Sequence, residues 1–275
     1  MLDEDQVIDT MEENSIFVQD DNRKVHPWRI CPIGQHYVKT HSEHIHPGRE
    51  HPAGQVIIRH AHCANNPSHK NHNNQDIIPK DILSFEELQM IAKTYFLDLK
   101  GLPKSNVLEF THADEFDSQI RGWVLYWNQV FNAKDPLDPN LVKALIASES
   151  SFNSETEIRT LNGTGVAHGL MQLTDDTLDA ISGRKVDLKD SFVQITPQEA
   201  MDPTANICAG VRWLFMKYAI ARERITNAKL DREATWDDAV AEYKGILKSI
   251  IESKNSNTKE MIIFRNFYRK LSEER

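Results

Sequence analysis

No apolar run in these 275 residues approaches the roughly eighteen needed to cross a bilayer as a helix, which excludes a membrane-spanning helix. Acidic residues outnumber basic ones, 41 to 32. The net charge is −9, and residues 1–22 hold eight acids and no Lys or Arg, so the remaining body is close to neutral. That gives no electrostatic case for a nucleic-acid partner. Cysteine is limited to Cys31, Cys63 and Cys208. An odd count in a chain this long speaks against a disulfide framework, and Cys208 reads as a small buried apolar residue. There is no internal repeat and no His-Glu-x-x-His signature of a catalytic zinc. The start, MLDEDQVIDTMEEN, lacks the basic and apolar regions of a secretory signal, so the expectation is synthesis in the cytoplasm and export by another route.

What is present suffices for a packed core: 40% hydrophobic and 27% charged residues. The acidic segment 1–22 reads as a solvated tail, or as a docking segment for a carrier. Residues 23–80 differ in kind. Ten of the twelve histidines lie there, among punctuating prolines and glycines and short strand-like runs such as Gln55–Arg59, so a small loop-rich β module is expected. Cys31, His36, His60, His62 and Cys63 are the candidate ligands for a structural zinc, thiolate and imidazole being its preferred donors. Their spacing matches no common zinc finger.

Residues 81–135 turn helical. Ser84 and Glu87 read as a capping box ahead of Phe85, Leu88, Ile91, Tyr95 and Phe96. A second helix is expected from about Asp114, with an aromatic stripe (Phe116, Trp123, Trp127, Phe131) that belongs to the core rather than to a sugar-stacking surface. From residue 136 to 275 further helices follow. Asp138 and Pro139 form an N-cap and first position; Asp202-Pro203 repeats that signal, and Thr235 to Asp238 is another capping box.

Glu149 is the conspicuous residue. Val142, Leu145, Ile146 and Glu149 follow at helical spacing, which puts a carboxylate on the stripe facing the core at the end of its helix. Burial and the negative helix end both disfavour its charged form, so it is expected to hold its proton near neutral pH. A general acid for glycosidic cleavage needs that property. A solvated glutamate at a helix end is the other reading of the same spacing.

After Glu149-Ser150 come Gly169-Leu170-Met171-Gln172, then Asn206-Ile207 and Gly210, then Ala241-Glu242-Tyr243. This order resembles the soluble lytic transglycosylases and the related goose-type lysozymes, over roughly residues 136–252. The resemblance implies a mainly α, lysozyme-like catalytic domain behind the small His-rich β-containing module. It implies Glu149 as the catalytic acid and base, with Ser150, Gly169, Leu170, Met171, Gln172, Asn206 and Tyr243 around the saccharide. The Gly-Leu-Met-Gln segment is expected to enter a helix. No cofactor is required for catalysis. The chain departs from the family after Tyr243, where Lys244 replaces the usual asparagine. Goose-type lysozymes carry an aspartate two residues after the glutamine; here that position is Thr174, while Asp175, Asp176, Glu155 and Glu157 lie nearby in sequence. A single-acid transglycosylase acting between N-acetylmuramic acid and N-acetylglucosamine of peptidoglycan is therefore expected. A muramidase hydrolysing the same bond and a non-catalytic wall-binding or assembly protein are the alternatives. The His-rich module ahead of such a domain is similar to antibacterial effectors of type VI secretion. That implies action in the periplasm or cell wall, a secretion-machine carrier and a periplasmic immunity protein.

Overall fold

The computed structural model describes residues 28–46, 55–70, 76–159, 165–185, 188 and 190–273. The acidic segment 1–22 and Gly163 lie outside these. The architecture is mainly α with a small β-containing N-terminal region.

The first strands form a nested ribbon. β1 (Gln35–Val38) pairs antiparallel with β4 (His62–Asn65), and β2 (His41–Ile45) with β3 (Gln55–Arg59). β5 (His69–Lys70) and β6 (Asp76–Ile77) form a short antiparallel pair. At the root of the ribbon Cys31 and Cys63 form a disulfide, Cα–Cα 5.6 Å. This corrects the expectation of reduced thiols. Strand pairing sets Cys63 opposite Tyr37, and the chain returns Cys31 to the same place. Sulfurs bonded to each other offer no thiolate to zinc. His36 Nδ1 faces Asn66 Oδ1 at 3.2 Å, and His62 Nδ1 faces the His60 carbonyl at 2.8 Å. No group of three or more His, Cys, Asp or Glu poised for a metal occurs among the described residues.

A buried cluster joins the ribbon to the helices. The Arg29 guanidinium pairs with Asp81 and donates through Nε to Glu87 at 2.8 Å. The same Glu87 oxygen accepts from the Ile30 N–H at 3.0 Å. The capping box expected at Ser84 is thus half formed. Ser84 accepts from the Glu87 N–H at 3.4 Å, while the Glu87 carboxylate is drawn off by Arg29. β7 (Ile82–Ser84) pairs in parallel with β11 (Phe192–Gln194), tying this region to the chain just before the longest helix.

α1 (Phe85–Tyr95) and α2 (Asp117–Val130) pack their aromatic faces inward. Trp123 and Trp127 are completely buried, and the Trp127 indole donates to the Cys208 carbonyl at 3.0 Å. α2 begins at Asp117 rather than Asp114. The Asp114 carboxylate is held elsewhere, by the Asn106 N–H at 2.9 Å and the Lys143 ammonium at 2.6 Å.

α3 (Pro139–Glu149) lies at the centre. Asp138 accepts from the Asn140 N–H at 2.8 Å, as an N-cap should, and Tyr268 donates to its other oxygen at 2.9 Å. Every residue from Asn140 to Ala147 is buried, so the helix is covered on all sides rather than along one stripe. Lys143 is among them, its charge neutralised between Asp114 and Asp117.

Beyond α3 a three-stranded antiparallel sheet follows: β8 (Glu157–Arg159), β9 (Val166–His168) and β10 (Leu173–Thr174). α4 is Asp175–Ile181, α5 Pro203–Asn227, α6 Trp236–Tyr243, α7 Leu247–Ser253 and α8 Lys259–Ser272. The full capping box at Thr235 and Asp238 is formed. α8 packs along α3, while α5 packs against α6 and α2, so the helical half surrounds two internal helices.

Candidate active site

The chain leaves α3 sharply. Ser150 is the C-cap, its N–H reaching the Ile146 carbonyl at 3.0 Å. Ser151 and Phe152 then both adopt positive φ, +53° and +65°, which is costly for residues with a side chain. Packing holds them there: Phe152 is buried, its ring 5.5 Å from that of Phe110. Glu149 therefore sits at the last position of a rigid, buried helix, immediately before the turn into the β-sheet.

Gly169-Leu170-Met171-Gln172 is the connection between β9 and β10, which corrects the expectation that it enters a helix. Gly169 has φ +67° and Gln172 φ +51°, conformations that reverse the chain and that a helix does not use. A Cβ on Gly169 would lie 2.6 Å from Asn206 Nδ2 and 2.8 Å from the Ala200 carbonyl, so neither conformation nor space admits another residue. Leu170 and Met171 point into the core, both fully buried. Gly210 makes room for Met171, whose sulfur would lie 2.3 Å from an added Cβ.

Two side chains clamp this turn. Asn206, completely buried on α5, accepts from the Met171 N–H at 2.8 Å and donates to the His168 and Ala200 carbonyls at 2.9 and 2.7 Å. Its amide has no face toward a substrate; it acts by fixing backbone. Tyr243 donates to the Met171 carbonyl at 2.7 Å. Burial, and then the negative charge of Glu149, push its phenol well above the ordinary tyrosine value, so it stays a donor. Gln172 also turns inward, its Nε2 donating to the Gly169 and Thr156 carbonyls at 2.8 and 3.1 Å.

Glu149 is 19% exposed. The apolar surround expected for it is not what the fold supplies. The ammonium of Lys244, only 8% exposed, forms an ion pair with Oε1 of Glu149 and donates to the Ser148 hydroxyl at 3.0 Å. The sequence flags Lys244 only as a departure from the family; that it touches Glu149 depends on where α6, packed on α5, brings its end relative to that of α3.

Two of the other carboxylates near in sequence meet at one histidine. His168, buried on β9, faces Asp175 Oδ1 at 2.8 Å through Nε2 and Glu157 Oε1 at 3.2 Å through Nδ1. Asp175 also accepts from the Val166 N–H at 2.8 Å, and these bonds hold its carboxyl below the usual range. Thr174 is the N-cap of α4. Glu155 is exposed, and its own N–H is taken by Asn153. This carboxylate–imidazole–carboxylate chain escapes sequence reasoning, although His168 beside Gly169 and the acid seven residues on were visible.

The structure thus brings together Glu149 and Ser148 from α3, the Met171 turn, and Tyr243 and Lys244 from α6. Asn206 stands behind the turn and Ser150 closes the helix. A largely covered carboxylate on a rigid helix end, beside a braced turn, is a geometry that can move a proton to and from an oxygen laid across it. No helix among the described residues is long and apolar enough to cross a membrane. No curated protein matches the chain. Residues 127–263, the part that holds every one of these side chains, match the family model of the transglycosylase SLT domain, and through that domain the chain belongs to the lytic transglycosylases that act on the glycosidic bonds of peptidoglycan.

Proposed function

We propose that Glu149 is the general acid and base of this activity, cutting between N-acetylmuramic acid and N-acetylglucosamine. The observation that supports it is the position of Glu149: the partly exposed end of a buried helix, close to Tyr243, whose hydroxyl holds the turn that Asn206 also clamps. Protonated Glu149 gives its proton to the leaving oxygen as the C1–O bond breaks, and the substrate's own acetamido group stabilises the positive centre. The carboxylate then takes the proton of the C6 hydroxyl, whose oxygen closes a 1,6-anhydro ring on C1. Among the described residues Asp175 and Glu157 are engaged by His168, which favours a single acid over a two-acid hydrolysis. Ser150, Gly169, Leu170, Met171 and Gln172 act in this reading through the backbone they fix rather than through side chains on the saccharide.

The test is Glu149→Gln on purified cell wall, with mass spectrometry of the released muropeptides. The wild type is expected to release products one water lighter than hydrolysis gives, and the variant none. Unchanged lysis by the variant would end the assignment. Products carrying the extra water would point to the muramidase, and binding to the wall without release to a non-catalytic protein.

We infer further that the protein works in the periplasm or cell wall as an antibacterial effector, carried there by a secretion or injection machine. The Cys31–Cys63 disulfide supports the compartment, since such bonds persist where thiols are oxidised. A producing cell would then need a periplasmic immunity protein. Loss of the neighbouring gene should cause self-lysis, and its absence would count against this reading.

A further inference from the structure

Lys244 is the charged side chain that the proposed chemistry does not use. It is the C-cap of α6, its N–H on the Val240 carbonyl at 3.0 Å, and Gly245 at φ +71° turns the chain immediately after it. The backbone is therefore fixed, and only the four-carbon stem can move. The ammonium lies where the C-terminal ends of α6 and α3 converge, and both ends favour a cation. Its partners are Ser148 Oγ and Glu149 Oε1.

The other ionisable groups around this pair are turned elsewhere. On α3, Lys143 is between Asp114 and Asp117. On α6, Glu242 pairs with Arg224 at 2.9 Å and faces Lys217 at 4.0 Å, and the Tyr243 hydroxyl is on Met171. On the β-sheet, His168 is between Glu157 and Asp175.

An acid locked to an ammonium has no proton to give. We propose that Lys244 is a positioning residue: it holds Glu149 as a carboxylate turned toward α6 in the free enzyme, and an arriving glycan must displace the ammonium before Glu149 can take up a proton and face the glycosidic oxygen. This rests on Glu149 being the general acid. A sugar chain across the partly exposed Glu149 competes with the ammonium for the carboxylate, and the flexible four-carbon stem lets the ammonium withdraw toward water. Glu149 then takes one proton from solvent while the ammonium keeps its own. The proton later given to the leaving oxygen is replaced by the one from the C6 hydroxyl, so turnover consumes none.

The experiment measures kcat/KM and kcat on soluble glycan strands across pH for the wild type, Lys244→Met, Lys244→Gln and Lys244→Arg, with Glu149→Gln as control. Because kcat/KM reports the free enzyme, its alkaline limb should move to higher pH in the Met and Gln variants, which lack the cation. At a pH above the wild-type limb this is a gain of about tenfold for each unit moved. The kcat limb should barely move, because bound glycan has already displaced the lysine. The Arg variant keeps the cation and should retain the wild-type limb. A kcat/KM limb that stays or falls in both the Met and Gln variants would overturn the proposal while Glu149→Gln remains silent. Activity in Glu149→Gln would instead remove the assignment beneath it.

Discussion

Replacing Asn206 with alanine tests the clamp that shapes the site. The side chain is completely buried and satisfies three backbone groups: the Met171 N–H, the His168 carbonyl and the Ala200 carbonyl. Truncation leaves all three unpaired in the interior, at about 1–3 kcal/mol each. A water entering the space left by the amide would recover part of this, so the expected loss is about 3–5 kcal/mol. For a chain of this size that lowers the midpoint of thermal unfolding by about 10 °C. Activity should fall further than stability explains, because the turn carrying Met171 loses its register while Tyr243 holds it from one side only. Urea unfolding and muropeptide release, both at a temperature where the variant remains folded, separate the two effects. A loss below about 1 kcal/mol would show that these contacts are replaceable and would refute the clamp.

Two other outcomes follow from the same structure. Burial works against the charge of Asp238, but the Arg232 guanidinium and the N–H and hydroxyl of Thr235 outweigh it and hold its carboxyl below the usual range. Its stabilisation is therefore fully present above the ordinary aspartate value near about pH 4 and is lost as pH falls through the lower folded value. Asp238→Asn should be less stable than the wild type at neutral pH, with the gap closing in denaturant midpoints measured below about pH 4; a gap constant with pH would contradict this. Reducing the Cys31–Cys63 bond frees a loop with a sequence separation of 32 and should destabilise the ribbon by about 3–4 kcal/mol. Limited proteolysis between residues 55 and 65 should then accelerate while the helical half stays intact, and equal cleavage with and without reductant would count against it.

Local signals carried far in this chain. Asp138-Pro139, Asp202-Pro203 and Thr235 with Asp238 start helices where their capping chemistry says they should, because a cap is satisfied within three residues of itself. The aromatic stripe of α2 is core, and Cys208 is a buried free thiol, as their apolar surroundings in the sequence indicate. The order from Glu149 to Tyr243 was enough to identify the family. Where a residue had two suitors, tertiary structure chose between them. Glu87 left its capping box for Arg29, and Asp114 left the helix start for Lys143.

The meeting of Glu149 with Lys244, 95 positions apart, exists only once packing has brought the ends of α6 and α3 together. The same holds for the three bonds of Asn206, the Cys31–Cys63 bond and the β-turn at Gly169. Sequence spacing fixes which side chains share a helix face, because 3.6 residues make a turn everywhere. It does not fix which faces meet. That is decided by burying all the apolar faces at once, and the environment of a single carboxylate is settled along with them.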